Sequence, residues 1–260
     1  MRRELTVFAI LTAVAVAAGA VRAEIPASER RSGYAELSPD TKAMQDDDTQ
    51  NPGMLSVLDG EALWKTKAGQ ARLACADCHG DAESKMKGVA ARYPAYDPAR
   101  KAPVDLEQRI NICRAEHQKA PAYKAEDKDL LALSAYIGRQ SRRMPIAAGD
   151  DARLKPFVEA GQKLFSERQG QLNLSCAQCH DERWGKHVGS SVIPQAHPTG
   201  YPIYRLEWQS VGSLQRRLRN CMSGMRAQPF DYGALENVEL ELFLMWRARG
   251  MPLETPAVRP

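Results

Sequence analysis

Apolar residues recur with a helical period over most of the chain. Leucine, isoleucine, phenylalanine and tryptophan return every three or four residues between Asp127 and Arg139, and again between Leu235 and Arg247. This spacing predicts two amphipathic helices, each with one apolar face. Runs that alternate apolar and polar residues with period two are nearly absent. The pattern therefore predicts a mainly α fold.

The helical pattern is part of an internal repeat. Gly60 precedes Cys75 by the same interval as Gly161 precedes Cys176. Each copy continues through a loop rich in Pro, Gly and Tyr, a helix with an isolated cysteine, the second amphipathic helix, and a Met-Pro pair. Such self-similarity predicts two structurally equivalent lobes.

Composition shifts along the chain indicate where these lobes begin and end. Residues 24–50 are polar and carry a run of three aspartates, which predicts a loosely packed N-terminal arm. Gly149-Asp150-Asp151 is the predicted junction between the copies. We therefore predict a first domain over residues 51–149 and a second over residues 150–260.

Residues 1–23 have the pattern of a secretory signal peptide. Arg2 and Arg3 precede an apolar run, and Val21-Arg22-Ala23 offers small residues before a cleavage site. We expect this segment to be removed and the protein to be exported to the periplasm; an uncleaved membrane anchor is the alternative. No other stretch is apolar enough to cross a bilayer, so no membrane insertion is expected of the mature chain. Loss of three arginines and one glutamate lowers the formal net charge from +4 to +2, which gives no basis for a nucleic-acid partner.

Four of the six cysteines form two copies of the C-x-x-C-H motif. In this signature both thiols attach covalently to haem c, and the adjacent histidine binds the iron. Two matches in an exported chain predict two haem c groups, with zinc or thioredoxin-like redox chemistry as the alternatives. The predicted attachment residues are Cys75, Cys78, Cys176 and Cys179, and the predicted axial ligands are His79 and His180.

The second axial ligand of each iron has two sets of candidates. Met144 and Met251 stand before prolines, as a thioether ligand often does in class I cytochromes. Cys113 and Cys221 are favoured instead, because they hold equivalent positions in the repeat and are unpaired thiols in an exported chain. A Cys113–Cys221 disulfide, or two inert buried thiols, would also account for this pair of cysteines. Three histidines in polar stretches are weaker candidates: His117, His187 and His197.

Positive charge distinguishes Cys221 from Cys113. Four arginines surround Cys221: Arg216, Arg217, Arg219 and Arg226. Arg217 lies four residues before Cys221 and shares its face of a helix. Such a field is expected to lower the pKa of the thiol and to attract an oxyanion. Arg109 precedes Cys113 at the same spacing, so binding of haem propionates is the alternative role for both arginines.

These motifs together resemble the SoxA family of dihaem cytochrome c subunits from the SoxAX complexes of periplasmic thiosulfate oxidation. The resemblance rests on the two C-x-x-C-H motifs, on Cys113, and on Arg217-x3-Cys221-Met222, and it extends over nearly the whole chain after residue 23. It implies two tandem class I cytochrome c-like domains related by the internal repeat. It also implies L-cysteine S-thiosulfotransferase activity, in which thiosulfate is joined oxidatively to a cysteine of a SoxYZ-like carrier.

The resemblance assigns roles residue by residue. Cys221 would be the catalytic residue, an iron ligand that carries a persulfide; Arg217 would bind thiosulfate, and Cys113 would ligate the first haem. The implied protein partners are a SoxX-like monohaem cytochrome c subunit in a heterodimer, the SoxYZ-like carrier, and an acceptor cytochrome c that takes the two electrons. Two other functions stay open at this point. These are a plain dihaem electron-transfer cytochrome and a dihaem thiosulfate dehydrogenase that forms tetrathionate.

Overall fold

The computed structural model describes residues 25–260, so the predicted signal peptide lies outside the described residues. Helices dominate this part of the chain, as predicted. They are α1 (Pro39–Asp46), α2 (Gly53–Lys65), α3 (Cys75–His79), α4 (Ala82–Lys85), α5 (Leu106–Cys113), α6 (Lys128–Arg139), α7 (Lys155–Ser166), α8 (Cys176–His180), α9 (Leu214–Gly224) and α10 (Leu235–Arg247). Within residues 25–260 no helix is both long and apolar enough to span a bilayer.

Short strands form small sheets beside the helices. They are β1 (Ala95–Asp97), β2 (Ala102–Val104), β3 (His187–Val188), β4 (Ser191–Val192), β5 (Ile203–Arg205), β6 (Ser210–Gly212) and β7 (Ala257–Arg259). Within this part of the chain, three antiparallel hairpins form, of β1 with β2, β3 with β4 and β5 with β6, and β7 pairs with β5 in parallel. The sequence pattern did not predict these strands, because such short segments cannot show a period of two.

Each lobe is built on the close crossing of two helices. In the first lobe α2 packs against α6, and in the second α7 packs against α10. A Cβ atom on Gly60 would lie 2.1 Å from the carbonyl oxygen of Ala132, and one on Gly161 would lie 2.1 Å from that of Glu239. Only glycine lets the backbones approach so closely, which explains why both copies have it. The buried aromatic residue that follows in each copy, Trp64 or Phe165, fills the core beneath its crossing.

The two lobes join through their Met-Pro segments. Pro145 and Pro252 lie opposite each other in an antiparallel bridge. The amide of Ile146 donates to the carbonyl of Met251 at 2.9 Å, and the amide of Leu253 donates to the carbonyl of Met144 at 2.9 Å. A small apolar cluster covers this pairing: Ala91, Ile146, Ala148, Met245, Ala248 and Leu253. The ends of the two copies are therefore part of the interface between the lobes.

The N-terminal segment differs from the predicted loose arm. Gln45 of α1 is buried, and its side-chain oxygen accepts a hydrogen bond from the amide of Val258 at 3.0 Å. The Gln195 side chain likewise accepts from the amide of Arg31 at 2.7 Å. The segment is ordered because it supplies partners to β7 and to the second lobe, which its polar composition alone does not reveal.

Acidic side chains collect where the N-termini of α5 and α9 meet. Asp105 is buried, and it accepts hydrogen bonds from the Gln108 amide and from the Gln215 side chain, both at 2.7 Å. Glu107 accepts from the Ser134 hydroxyl at 3.0 Å. Burial raises the pKa of Asp105 to about 6 and that of Glu107 to about 8, and it also raises the pKa of Glu241 well above its ordinary value. Because Asp105 has the stronger donors, we place the neutral carboxyl groups at Glu107 and Glu241.

We expect these carboxyl groups to weaken the fold as the pH rises. A carboxyl whose folded pKa exceeds its unfolded pKa adds stability below the unfolded value and loses it as the pH passes the folded value. The free energy of unfolding should therefore fall between about pH 5 and about pH 9, by an amount on the order of a few kcal/mol. Glu107→Gln should flatten this slope, and Glu61→Gln, at a half-exposed residue, should not. Denaturant titrations across the pH range measure both, and equal slopes for the wild type and Glu107→Gln would contradict the assignment.

Candidate active site

Both C-x-x-C-H motifs form a single helical turn whose start is capped. In α3 the Asp77 carboxylate accepts from the amide of Ala74 at 2.8 Å. In α8 the side chain of Gln178 accepts from the amide of Ser175 at 2.9 Å. Helical spacing places the two cysteines of each motif on one face, with the histidine one residue further on. Among the described residues, no cluster of three or more His, Cys, Asp or Glu side chains is arranged to hold a metal ion.

The first lobe contains a cavity of about 270 Å³ beside α3. The motif residues Cys75, Cys78 and His79 line it, and Cys113 lies on its wall at the end of α5. The remaining wall is largely apolar, which suits a porphyrin. The structure thus brings together the predicted attachment cysteines and both predicted axial ligands of the first haem.

The second lobe contains a cavity of about 320 Å³ at the equivalent place. His180, Cys221 and Arg217 line it. Cys176 and Cys179 precede His180 in α8 and are half-buried. The structure therefore places all the residues predicted for the second haem in or beside one cavity.

The ring of His180 is held in an orientation that suits iron binding. Its Nδ1 atom lies 2.6 Å from the carbonyl oxygen of Pro194, which leaves Nε2 for a ligand. Burial, opposed by this hydrogen bond, lowers the pKa of His180 and favours the neutral ring. Metal-binding histidines commonly have their other nitrogen fixed by a backbone carbonyl in this way. The donor set and the cavity therefore fit haem c.

The alternatives for the second axial ligand are placed elsewhere. All six cysteines lie in the described part of the chain as free thiols, and Cys113 and Cys221 line separate cavities, so the disulfide is absent. Met144 and Met251 belong to the bridge between the lobes and line neither cavity within residues 25–260. The structure thus gives each cavity a cysteine, not a Met-Pro methionine, to accompany its histidine.

The three additional histidines have different positions. His117 is exposed at the rim of the first cavity, and His187 is exposed in β3. His197 is buried beside the second cavity, where its Nδ1 atom lies 2.8 Å from the carbonyl oxygen of Arg31. That contact joins the N-terminal segment to the wall of the second cavity.

Of the four arginines around Cys221, only Arg217 lines the cavity. Arg216 stacks on Trp208 with its guanidinium carbon 4.1 Å from the ring centroid. Arg219 donates to the Phe230 carbonyl and stacks on Tyr232, and Arg226 is exposed. None of these three arginines lines the cavity that Cys221 lines.

Two arginines that the sequence analysis missed line the same cavity. Arg205 ends β5, and Arg259 lies in β7. Arg259 donates to Glu254 at 2.5 Å and also to Gln45, so its charge is neutralised. The tyrosine-proline loops of the two copies are further apart in the chain than the two haem motifs are. An alignment of the copies through these loops, and not through the haem motifs, would therefore have drawn attention to Arg205.

A helical chain of two equivalent lobes, each with a C-x-x-C-H turn at an apolar cavity, defines a c-type cytochrome. The family model described as the SoxA/TsdA cytochrome c domain matches residues 59–146 and 160–253. The chain therefore belongs to the SoxA/TsdA cytochrome c family. This membership confirms the predicted fold of two tandem cytochrome c-like domains and the presence of covalent haem c.

Individual relatives agree with this assignment. The L-cysteine S-thiosulfotransferase subunit SoxA of Pseudaminobacter salicylatoxidans is 37% identical over 235 residues, which cover 90% of this chain and 82% of the relative. The subunit of the same name from Rhodovulum sulfidophilum is 36% identical, and the match covers 89% of this chain and 80% of that relative. The crystal structure of SoxXA from P. pantotrophus superposes with a TM-score of 0.85 at 28% identity, over 89% of this chain and 87% of that one.

Proposed function

We propose that the second lobe is the active site of an L-cysteine S-thiosulfotransferase, with Cys221 as its catalytic residue and Arg217 as a binding residue for thiosulfate. The observation that carries this assignment is the position of Cys221 and Arg217 on the wall of one cavity, together with His180. The names of the SoxA relatives support the same activity.

The reaction joins two sulfur atoms and releases two electrons. A carrier thiol, R–SH, and thiosulfate form the thiosulfonate R–S–S–SO3⁻ together with one proton and two electrons. Haem c, when bound, supplies the one-electron redox chemistry that removes these electrons. We propose an acceptor cytochrome c as their destination and a SoxYZ-like carrier protein as the source of the thiol.

Cys221 provides the reactive sulfur in this scheme. The residue is half-buried on α9 and faces the cavity that His180 also lines. A persulfide on Cys221 places a second, more polarisable sulfur further into the cavity, and such caps on cysteine are reversible. We therefore propose that Cys221 is both an axial ligand and the residue that bears the persulfide.

Arg217 orients the thiosulfate dianion. Its guanidinium lines the cavity, and within residues 25–260 no carboxylate lies at ion-pair distance from it. An unneutralised guanidinium in a partly enclosed site binds oxyanions through charge-assisted hydrogen bonds. Its charge also offsets the repulsion between the dianion and a second sulfur anion.

The number of haems and the partners are part of the same proposal. We propose two haem c groups, one attached to Cys75 and Cys78 with His79 and Cys113 as axial ligands. The second is attached to Cys176 and Cys179, with His180 and Cys221 as axial ligands. The SoxXA structure of P. pantotrophus supports a SoxX-like monohaem cytochrome c subunit as partner in a heterodimer. The signal-peptide pattern supports the periplasm as the location.

The test is a reconstituted assay with the holoprotein, its SoxX-like partner, ferricytochrome c, thiosulfate and a carrier with an accessible cysteine. We expect two equivalents of cytochrome c reduced for each carrier that gains one thiosulfate group by mass spectrometry. Formation of tetrathionate from thiosulfate without a carrier would identify a thiosulfate dehydrogenase instead. Reversible haem reduction without any thiosulfate consumption would identify a plain electron carrier.

A further inference from the structure

The two hairpins beside the haem cavities have the same register in both lobes. In the first lobe Asp97 is opposite Ala102, and in the second Arg205 is opposite Ser210. The interval from Asp97 to Arg109 on the following helix equals the interval from Arg205 to Arg217. Asp97 and Arg205 therefore occupy one structural position, where the first lobe has a carboxylate and the second has a guanidinium.

In the first lobe this position neutralises the neighbouring arginine. The Asp97 carboxylate is buried and lies 2.7 Å from the guanidinium of Arg109. Amides of Ala99 and Arg100 donate to the same carboxylate at 2.8 and 3.0 Å. The Arg100 amide and the Arg109 guanidinium together hold the pKa of Asp97 below its ordinary value. Arg109 is thus paired within the protein, which leaves the first cavity without an unpaired arginine at this place.

In the second lobe two guanidinium groups face the same cavity. Arg205 and Arg217 both line it, and burial together with the charge of Arg217 lowers the pKa of Arg205. The Nε atom of Arg205 is buried without a hydrogen-bond partner. The other end of this guanidinium forms an ion pair with the exposed carboxylate of Glu207 at 3.1 Å, so the Nε end is the one without a partner. A half-buried pair of like charges is costly unless an anion lies between the two groups.

We infer that Arg205 is a second binding residue for the thiosulfate dianion, which it holds together with Arg217. This inference rests on the proposed function, because it names the residue that completes the same site. Two guanidinium groups offer more donors than one anionic oxygen can use, so they select a tetrahedral dianion over a monoanion. Glu36 also lines this cavity, but it is an exposed residue of the N-terminal segment, and within residues 25–260 it forms no ion pair with either arginine.

The experiment replaces Arg205 with aspartate, the residue that the first lobe has at the equivalent position, Asp97. In the Arg205→Asp variant, Arg217 is expected to pair with the new carboxylate as Arg109 does with Asp97. Oxidised holoprotein is titrated with thiosulfate in a calorimeter, without carrier. The dissociation constant of the variant should be at least about tenfold higher than that of the wild type, because one charge-assisted contact is lost. In turnover, KM for thiosulfate should rise by a similar factor while kcat at saturation stays within about twofold.

Matched variants separate this effect from misfolding. Arg205→Lys should restore most of the affinity, whereas Arg205→Gln should lose it as Arg205→Asp does. Arg216→Gln removes one charge from a residue that stacks on Trp208 outside the cavity, so its thiosulfate affinity should equal that of the wild type. Arg205→Gln serves as the test variant if Arg205→Asp fails to take up haem.

The outcomes distinguish the inference from the function on which it rests. Wild-type affinity in Arg205→Gln, with a shifted haem midpoint potential, would assign Arg205 to a haem propionate and overturn the inference while leaving the transferase intact. Weakened thiosulfate binding in Arg205→Gln would support the inference even if the wild type formed tetrathionate in place of a carrier conjugate. Equal losses of thiosulfate affinity in Arg205→Gln and Arg216→Gln would show an effect of general surface charge and would overturn the inference.

Discussion

Replacement of Cys221 with alanine is expected to abolish conjugation of thiosulfate to the carrier, with turnover reduced at least about a thousandfold. The variant loses the sulfur that faces the second cavity, and no other cysteine of the described chain lines that cavity. It also loses the proposed thiolate ligand, so the absorption spectrum of the second haem should change. Turnover is measured as thiosulfate-dependent reduction of cytochrome c in the presence of the carrier.

The internal repeat supplies the matched comparison. Cys113→Ala removes the equivalent sulfur from the first cavity, so we expect a spectral change of the first haem with measurable conjugation retained. Mass spectrometry of alkylated, unreduced peptides should show one added sulfur on the Cys221 peptide and none on the Cys113 peptide. Normal turnover by Cys221→Ala would refute the catalytic assignment. Equal losses of turnover in both variants would show that Cys221 acts in electron transfer and not in the chemical step.

The second large effect is expected from the glycine at the helix crossing of the second lobe. A methyl group at position 161 would lie 2.1 Å from the Glu239 carbonyl oxygen and 2.8 Å from the Cβ atom of Phe243, one turn further along α10. The clash is with backbone, so α7 and α10 must separate, and Gly161→Ala should destabilise the lobe by roughly 3 kcal/mol or more. We expect loss of haem from the second lobe with the first haem retained.

Gly60→Ala should give the reverse pattern, because the same clash occurs with the Ala132 carbonyl in the first lobe. Gly224→Ala is the control, since a methyl group there meets nothing within 4 Å and favours the helix. Haem content per chain and thermal melting measure the outcome. Full haem content and an unchanged melting temperature in Gly161→Ala would show that the lobe does not depend on the close crossing.

Sequence-based prediction succeeded for those features that a single segment contains. The haem motifs, the crossing glycines and the ligand-placed cysteines all recur at fixed spacing, and that recurrence revealed the two lobes and the family. Three features were not predicted because they depend on contacts between distant segments. Gln45 is buried by a strand near the other end of the chain, and Asp97 pairs with an arginine on a separate helix. The role of Arg205 is visible only when the copies are aligned after the haem motif, where the second copy has the longer loop.

Electrostatics was the least successful part of the sequence-based prediction. Four arginines close to Cys221 in the chain suggested one dense positive field, but a helix directs its side chains in all directions. Three of the four do not line the cavity, and the cavity obtains its second guanidinium from a strand. Counting charges along a helix therefore overestimates the field at any one of its faces.

The pairing of the two Met-Pro segments has a consequence for the iron ligands open to each lobe. A thioether ligand stabilises reduced iron and gives a high potential, whereas a thiolate gives a low one. The backbone carbonyls of Met144 and Met251 accept the hydrogen bonds that join the lobes, so either thioether would reach a haem cavity only if this bridge opened. The interface between the lobes thus also keeps the high-potential ligand away from both cavities.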